Sequence, residues 1–196
     1  SEPVQRDALL ESIVGYYYRE RSEPTMRDAF YRYADMHIQE AAGVLEEVLR
    51  LDQGRAEALE QIARIYRALG RWRAATVSLE RLVKATDDPD AVRAANLQRA
   101  ELLEQELGED EKALDAVLAV LRVDPEDREA LEASARLHRR LGRWDGTADA
   151  LARLAEKAQP GDRARMLLEL SEVYERGLGQ QPQAEEHVAR AAALCS

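Results

Sequence analysis

The sequence predicts an all-α fold in which antiparallel helix pairs stack into a solenoid. Three observations predict it. A repeat with two alternating unit types runs through most of the chain. Apolar residues inside each unit fall at helical spacing. Glycine and proline punctuate successive units at the same phase.

The repeat comes first because a missed repeat misreads the whole fold. Arg67-Ala68-Leu69-Gly70-Arg71-Trp72 recurs 72 residues later as Arg139-Arg140-Leu141-Gly142-Arg143-Trp144. Glu57-Ala58-Leu59 recurs at the same offset as Glu129-Ala130-Leu131. A second type lies between: Leu107-Gly108 with Ala113 recurs 71 residues on as Leu178-Gly179 with Ala184. The array therefore alternates two units of about 36 residues, the length of a two-helix repeat. Units of the second type carry one extra residue before Gly108 and Gly179.

Within units, Leu59, Ile62, Ala63 and Tyr66 follow the i, i+3, i+4, i+7 rule of a helix with one apolar face, and Leu131, Ser134, Ala135 and His138 take the matching places. Gly70 or Gly142 then ends the first helix. The second helix carries Ala75, Leu79 and Leu82, matched by Thr147, Leu151 and Leu154. In the other unit type Ala113, Val117 and Val120 match Ala184, Val188 and Ala191. Pro89, Pro125 and Pro160 keep the same ruler near helix starts, where a missing N–H costs nothing. Asp88 and Asp124, before two of them, are placed to cap free N–H groups.

In order, the units span 53–88, 89–124, 125–159 and 160–196. Residues 24–52 read as a shortened unit, with Ala41, Leu45 and Val48 in second-helix places. Residues 1–23 hold one further helix, the orphaned half of a preceding unit.

A large residue, Leu-Gly, an aromatic, then small-large-small apolar positions and a closing proline form the pattern of Leu59, Ala63, Tyr66, Gly70, Trp72, Ala75, Leu79 and Leu82, with Pro125 closing the following unit. This pattern resembles the tetratricopeptide-repeat family over residues 53–194. The resemblance implies a right-handed solenoid. The sequence departs at Leu59 and Leu131, where the family often has tryptophan, and at His138, which takes an aromatic place.

Composition narrows the function. Of the 196 residues, 45% are hydrophobic and 34% charged, an ordinary folded chain rather than a disordered one. The net charge of −10 repels phosphate backbones, so the sequence predicts no nucleic-acid binding. No apolar run approaches the roughly 20 residues of a membrane span, so no membrane insertion is expected. Positive charge is almost all arginine; only Lys84, Lys112 and Lys157 are lysines, a bias read as that of a GC-rich bacterial genome. Cys195 has no partner for an internal disulfide, which fits the cytoplasm. The chain starts at Ser1 without methionine and reads as a segment of a longer scaffold, which leaves a periplasmic location open. The last helix ends Ala191-Ala192-Ala193-Leu194-Cys195 without a polar cap, and the expectation is a truncation or a contact surface.

Catalysis is not expected. His37, His138 and His187 lie in different units without ligand spacing, and no phosphate loop, nucleophile elbow or Cys-x-x-Cys pair is present. Gly177-Leu178-Gly179 lacks the strand of a phosphate motif and reads as a helix turn. No cofactor is predicted.

The resemblance implies instead a protein partner, a peptide segment or a folded protein, in a concave groove lined by the first helices. Its groove-facing positions correspond here to Arg64 and Arg67, Glu101 and Glu104, Arg136, Arg139 and Arg140, and Glu172 and Glu175. Basic and acidic rows alternate, and two readings follow: salt bridges between units, or a charge-patterned surface for a partner. The family's lysine and asparagine clamp for chaperone tails has no counterpart. A second candidate contact is the aromatic N-terminal stretch with Tyr16, Tyr17, Tyr18, Tyr31 and Tyr33: three adjacent tyrosines on a helix span about 200°, more than one packed face covers. Similar bacterial arrays serve polarity, motility, pilus or secretion machinery, where a small GTPase is one folded partner. Two rival readings stand beside this one: self-association through the repeat ends, and a regulatory domain of a larger enzyme.

Overall fold

The computed structural model describes residues 24–194, with side chains from residue 36 onward. Two units are distinguished, Ser1–Gly43 and Val44–Ser196. The first helix, α1 (Pro24–Leu51), begins in one and ends in the other. It is a single uninterrupted helix.

Eight further α-helices follow: α2 (Ala56–Ala68), α3 (Trp72–Ala85), α4 (Pro89–Gln105), α5 (Asp110–Val123), α6 (Arg128–Arg140), α7 (Trp144–Lys157), α8 (Pro160–Glu172) and α9 (Gln181–Leu194). No strand occurs among the described residues. From α2 onward each helix packs on the next in sequence. Short turns between neighbours make the helices antiparallel, and the pairs α2–α3, α4–α5, α6–α7 and α8–α9 form the helical solenoid that the sequence predicts.

Each first helix ends on a left-handed glycine. Gly70, Gly108, Gly142 and Gly179 have φ of 65°, 63°, 68° and 65°, a region in which other residues are strained. In the odd pairs the turn is a Schellman motif: Arg71 N–H donates to the Tyr66 carbonyl at 2.8 Å, and Arg143 N–H to that of His138 at 2.8 Å. In the even pairs the extra residue widens this turn by one. Glu109 N–H reaches the Leu103 carbonyl at 2.7 Å, and Gln180 N–H reaches that of Tyr174 at 2.8 Å. After α8 the widening is a full π-turn over Val173–Gly177.

Helix starts follow the sequence with one correction. Asp88 caps α4 by accepting from Asp90 N–H at 3.1 Å, with Pro89 in the first turn. α6 does not begin beside Pro125. It begins at Arg128, and its cap is Asp127, which accepts from Ala130 N–H at 2.8 Å. Asp124 instead closes a tight turn by accepting from Glu126 N–H at 2.9 Å. The reason is local: residues 124–127 spend their backbone on that turn before the helix can start.

The core runs between the two helix layers. Leu59, Ile62, Ala75, Leu79, Ala95 and Leu102 form one buried cluster; Leu103, Leu114, Val117, Leu131, Leu137, Leu151 and Leu170 belong to another. Leu102 and Leu103 are neighbours on α4 yet belong to different clusters. This central helix is therefore apolar on two sides, as stacking requires. Burying each leucine fully contributes about 1.5–3 kcal/mol. Trp72 packs against the first cluster and Trp144 against the second. Two glycines make room for rings. A Cβ on Gly146 would overlap the His138 imidazole, and one on Gly177 would sit 2.5 Å from Trp144 Cδ2.

Candidate partner-binding face

Of the charged residues singled out in the sequence, all but Glu175 sit on the first helices, Glu175 follows in the π-turn after α8, and most are tied to one another. Arg67 of α2 faces α4, with Nη1 donating to Gln98 Oε1 at 3.4 Å and Nη2 lying 3.6 Å from Glu101. Arg64, one turn earlier, pairs within its own helix with Glu60 at 2.6 Å and stays largely exposed.

The strongest tie joins α4 to α6. The Glu104 carboxylate accepts from Arg136 Nε and Nη2, both at 2.8 Å, and from Arg140 Nη1 at 3.2 Å. Arg140 also lies 2.9 Å from Asp110. The Glu104 side chain is only 5% exposed, whereas Arg136 and Arg140 are about half exposed. The bidentate Arg136 contact holds the Glu104 carboxyl below the usual carboxylate range, against the opposing effect of burial. Arg139, on the same helix, reaches forward to Glu169 at 3.7 Å, with both partners substantially exposed.

Glu172 and Glu175 are exposed and make no ion pair among the described residues. Tyr31 and Tyr33 fall on α1 before its described side chains begin, and Tyr16, Tyr17 and Tyr18 lie outside the described residues.

Sequence reasoning missed a second tie one unit apart. Arg93 of α4 binds Asp127 through Nε and Glu129 through Nη2, the latter at 3.0 Å. Burial works to raise the Asp127 carboxyl, but Arg93 and the Ala130 N–H bring it below its ordinary value. Arg143–Glu111 at 2.7 Å and Arg73–Glu109 at 3.2 Å extend the pattern across the turns. The available signal was spacing: these partners lie 32 to 36 residues apart, about one unit, as do Arg136 and Glu104.

The face carries positioned charge. His138 and His187 are partly buried, and each has an Nδ1 with no hydrogen-bond partner among the described residues. Burial holds both imidazoles below their usual pKa. His187 stacks on Tyr174 with ring centres 5.1 Å apart, a packing role. Among the described residues no group of three or more His, Cys, Asp or Glu could hold a metal ion, and no helix is long and apolar enough to cross a membrane.

Stacked helix pairs closed by left-handed glycines and joined by side chains one unit apart define a class, the helical-repeat proteins. Within that class the chain resembles the tetratricopeptide-repeat proteins. The family model described as tetratricopeptide repeat matches residues 32–101. Solved structures agree on the fold. The crystal structure of MamA superposes with a TM-score of 0.57 at 18% identity, covering 84% of this chain and 92% of that one. A MamA segment from Desulfovibrio magneticus RS-1 gives 0.54 at 17%, covering 85% and 93%. YrrB, described as a TPR protein with an unusual peptide-binding site, gives 0.57 at 17%, covering 93% and 91%. No curated protein sequence matches the chain.

Proposed function

We propose that this chain is a non-catalytic module that holds another protein along the face formed by its first helices. One observation carries the reading. α2, α4 and α6 present Arg64, Arg67, Glu101, Arg136, Arg139 and Arg140 in an alternating pattern, and the cross-helix ties preset several of these side chains. Side chains held in place lose less entropy when a partner binds, and patterned charge sets which partner binds and how fast it associates.

The likeness to YrrB adds precedent for a peptide as the ligand of such a fold. The aromatic N-terminal stretch is a second contact on compositional grounds alone. A scaffold role in bacterial polarity, motility, pilus or secretion machinery suits the composition and the repeat architecture. There a folded partner such as a small GTPase would meet the same charged rows. Regulation of an attached enzyme is compatible with the same face.

The test is capture from the native cell with the chain and an Arg64→Glu/Arg139→Glu variant as baits. Both arginines are exposed, so reversing them strips no buried carboxylate of its partner. The reading expects a protein that the native bait retains and the variant loses, at unchanged helical circular dichroism. Identical captures would remove the first-helix face from consideration.

A further inference from the structure

Trp72 and Trp144 hold the same place in two units, yet the chain meets them differently. At Trp144 the π-turn after α8 lies on the indole: a Cβ on Gly177 would sit 2.5 Å from Cδ2 and 2.6 Å from Cγ. The matching residue 71 positions earlier is Glu106. It carries a Cβ, so that close approach is closed to it. A cavity of about 250 Å³ lies beside Trp72 instead, between the C-terminal ends of α2 and α4 and the start of α3. Trp72 and Leu102 give it apolar walls, and Glu101, Glu106 and Arg67 give it charge. Arg67 is held toward Gln98 and Glu101, at 3.4 and 3.6 Å. Glu106 is exposed and makes no ion pair among the described residues.

We propose that this cavity takes an arginine side chain of the bound partner segment, with its guanidinium stacked on Trp72 and hydrogen-bonded to Glu106. Size limits the occupant first. Sites for whole drug-sized ligands run to about 300–1,000 Å³, so this smaller space suits one side chain. Charge limits it next. Two carboxylates face one guanidinium across the walls, which favours a cation. The aromatic wall then chooses among cations. A guanidinium is planar and weakly hydrated, stacks on an indole, and meets a carboxylate through two N–H groups at once; an ammonium is a compact, strongly hydrated point charge. Arg67 does not fill this place, because its own partners hold it on the other carboxylate. The inference rests on the reading of the first-helix row as partner-holding, since Arg67 and Glu101 belong to that row. Its test uses Trp72 and Glu106, which the capture experiment leaves untouched.

The test titrates the full chain with the blocked peptide acetyl-Ala-Ala-Arg-Ala-Ala-amide and follows the two indole N–H signals by nuclear magnetic resonance. The Trp72 signal should move along a saturating curve while the Trp144 signal stays. Citrulline in place of the peptide's arginine keeps the shape and removes the charge, and should weaken binding by about fivefold or more. Glu106→Arg supplies a cation from the chain itself at an exposed position, and should abolish the Trp72 shift at unchanged circular dichroism. No movement at Trp72, equal movement of both indoles, an equal response to citrulline, or a full response in Glu106→Arg overturns the proposal. Tighter binding of the corresponding lysine peptide overturns the arginine assignment. Failure here, with a partner still lost by the Arg64→Glu/Arg139→Glu bait, removes the cavity alone. A saturating Trp72 shift with identical captures removes the row and keeps the cavity as an arginine site.

Discussion

Glu104 on α4 and Arg136 on α6 are joined by two parallel hydrogen bonds of 2.8 Å, across a gap that separates successive helix pairs. The carboxylate is buried and its partner is not. This asymmetry decides the energetics, because removing the arginine leaves a charge that water cannot easily reach.

Arg136→Ala should therefore destabilise the fold. Breaking a fully buried pair costs about 3–5 kcal/mol. Here Arg136 is half exposed and Arg140 still reaches the carboxylate, so about 1–2 kcal/mol is expected. Urea titration followed by circular dichroism measures it. Arg64→Ala, whose partner Glu60 is itself exposed, should change stability by less than about 0.5 kcal/mol.

The same contact sets a pH dependence. Because the Glu104 pKa is lower in the folded state than in the unfolded one, its contribution is complete above the unfolded value of about 4.3 and is lost as pH falls through the lower folded value. Thermal melts from pH 6 down to pH 3 should show a shallower acid loss for Glu104→Gln than for the native chain. Parallel acid limbs would show that the Arg136 contact does not perturb the carboxyl.

Glycine substitutions separate packing from helix propensity. Gly161 lies in α8 with open space around its missing Cβ, so Gly161→Ala should stabilise by up to about 1 kcal/mol. Gly146→Ala and Gly177→Ala drive a methyl into the His138 and Trp144 rings and should destabilise by about 1–3 kcal/mol despite the better propensity. Melting temperatures of the three variants check the ranking.

The left-handed turns give a further check. Gly108→Ala meets no neighbour, so any cost is conformational. At φ of 63° that cost is about 1–2 kcal/mol, readable in the same melts.

Much of this was legible in the sequence because the determinants are local and periodic. Gly70 and Gly142 announce their turns, and Leu59 and Leu131 their buried faces, from identity and phase alone. The extra residue before Gly108 and Gly179 was visible as a length difference, but its form was not. Whether a helix absorbs one residue as a bulge, a wider turn or a kink depends on what packs there, here Trp144 against Gly177. The α6 cap was misplaced at Asp124 because three carboxylates, Asp124, Glu126 and Asp127, compete within four residues. Only backbone geometry chooses among them. The charged rows were found by phase, whereas their pairing was not, since an arginine can reach along its own helix, as Arg64 does, or across to another, as Arg67 does.

The most direct test of partner holding places a photo-crosslinking residue at single exposed sites and irradiates in the native cell. Arg64, Glu101 and Arg139 represent the first helices; Val77, Asp115 and Asp149 represent the second. Crosslinks to one common protein from the first set, and none to it from the second, are the predicted result. Crosslinks to a common protein from the second set alone, or none from either, would contradict it.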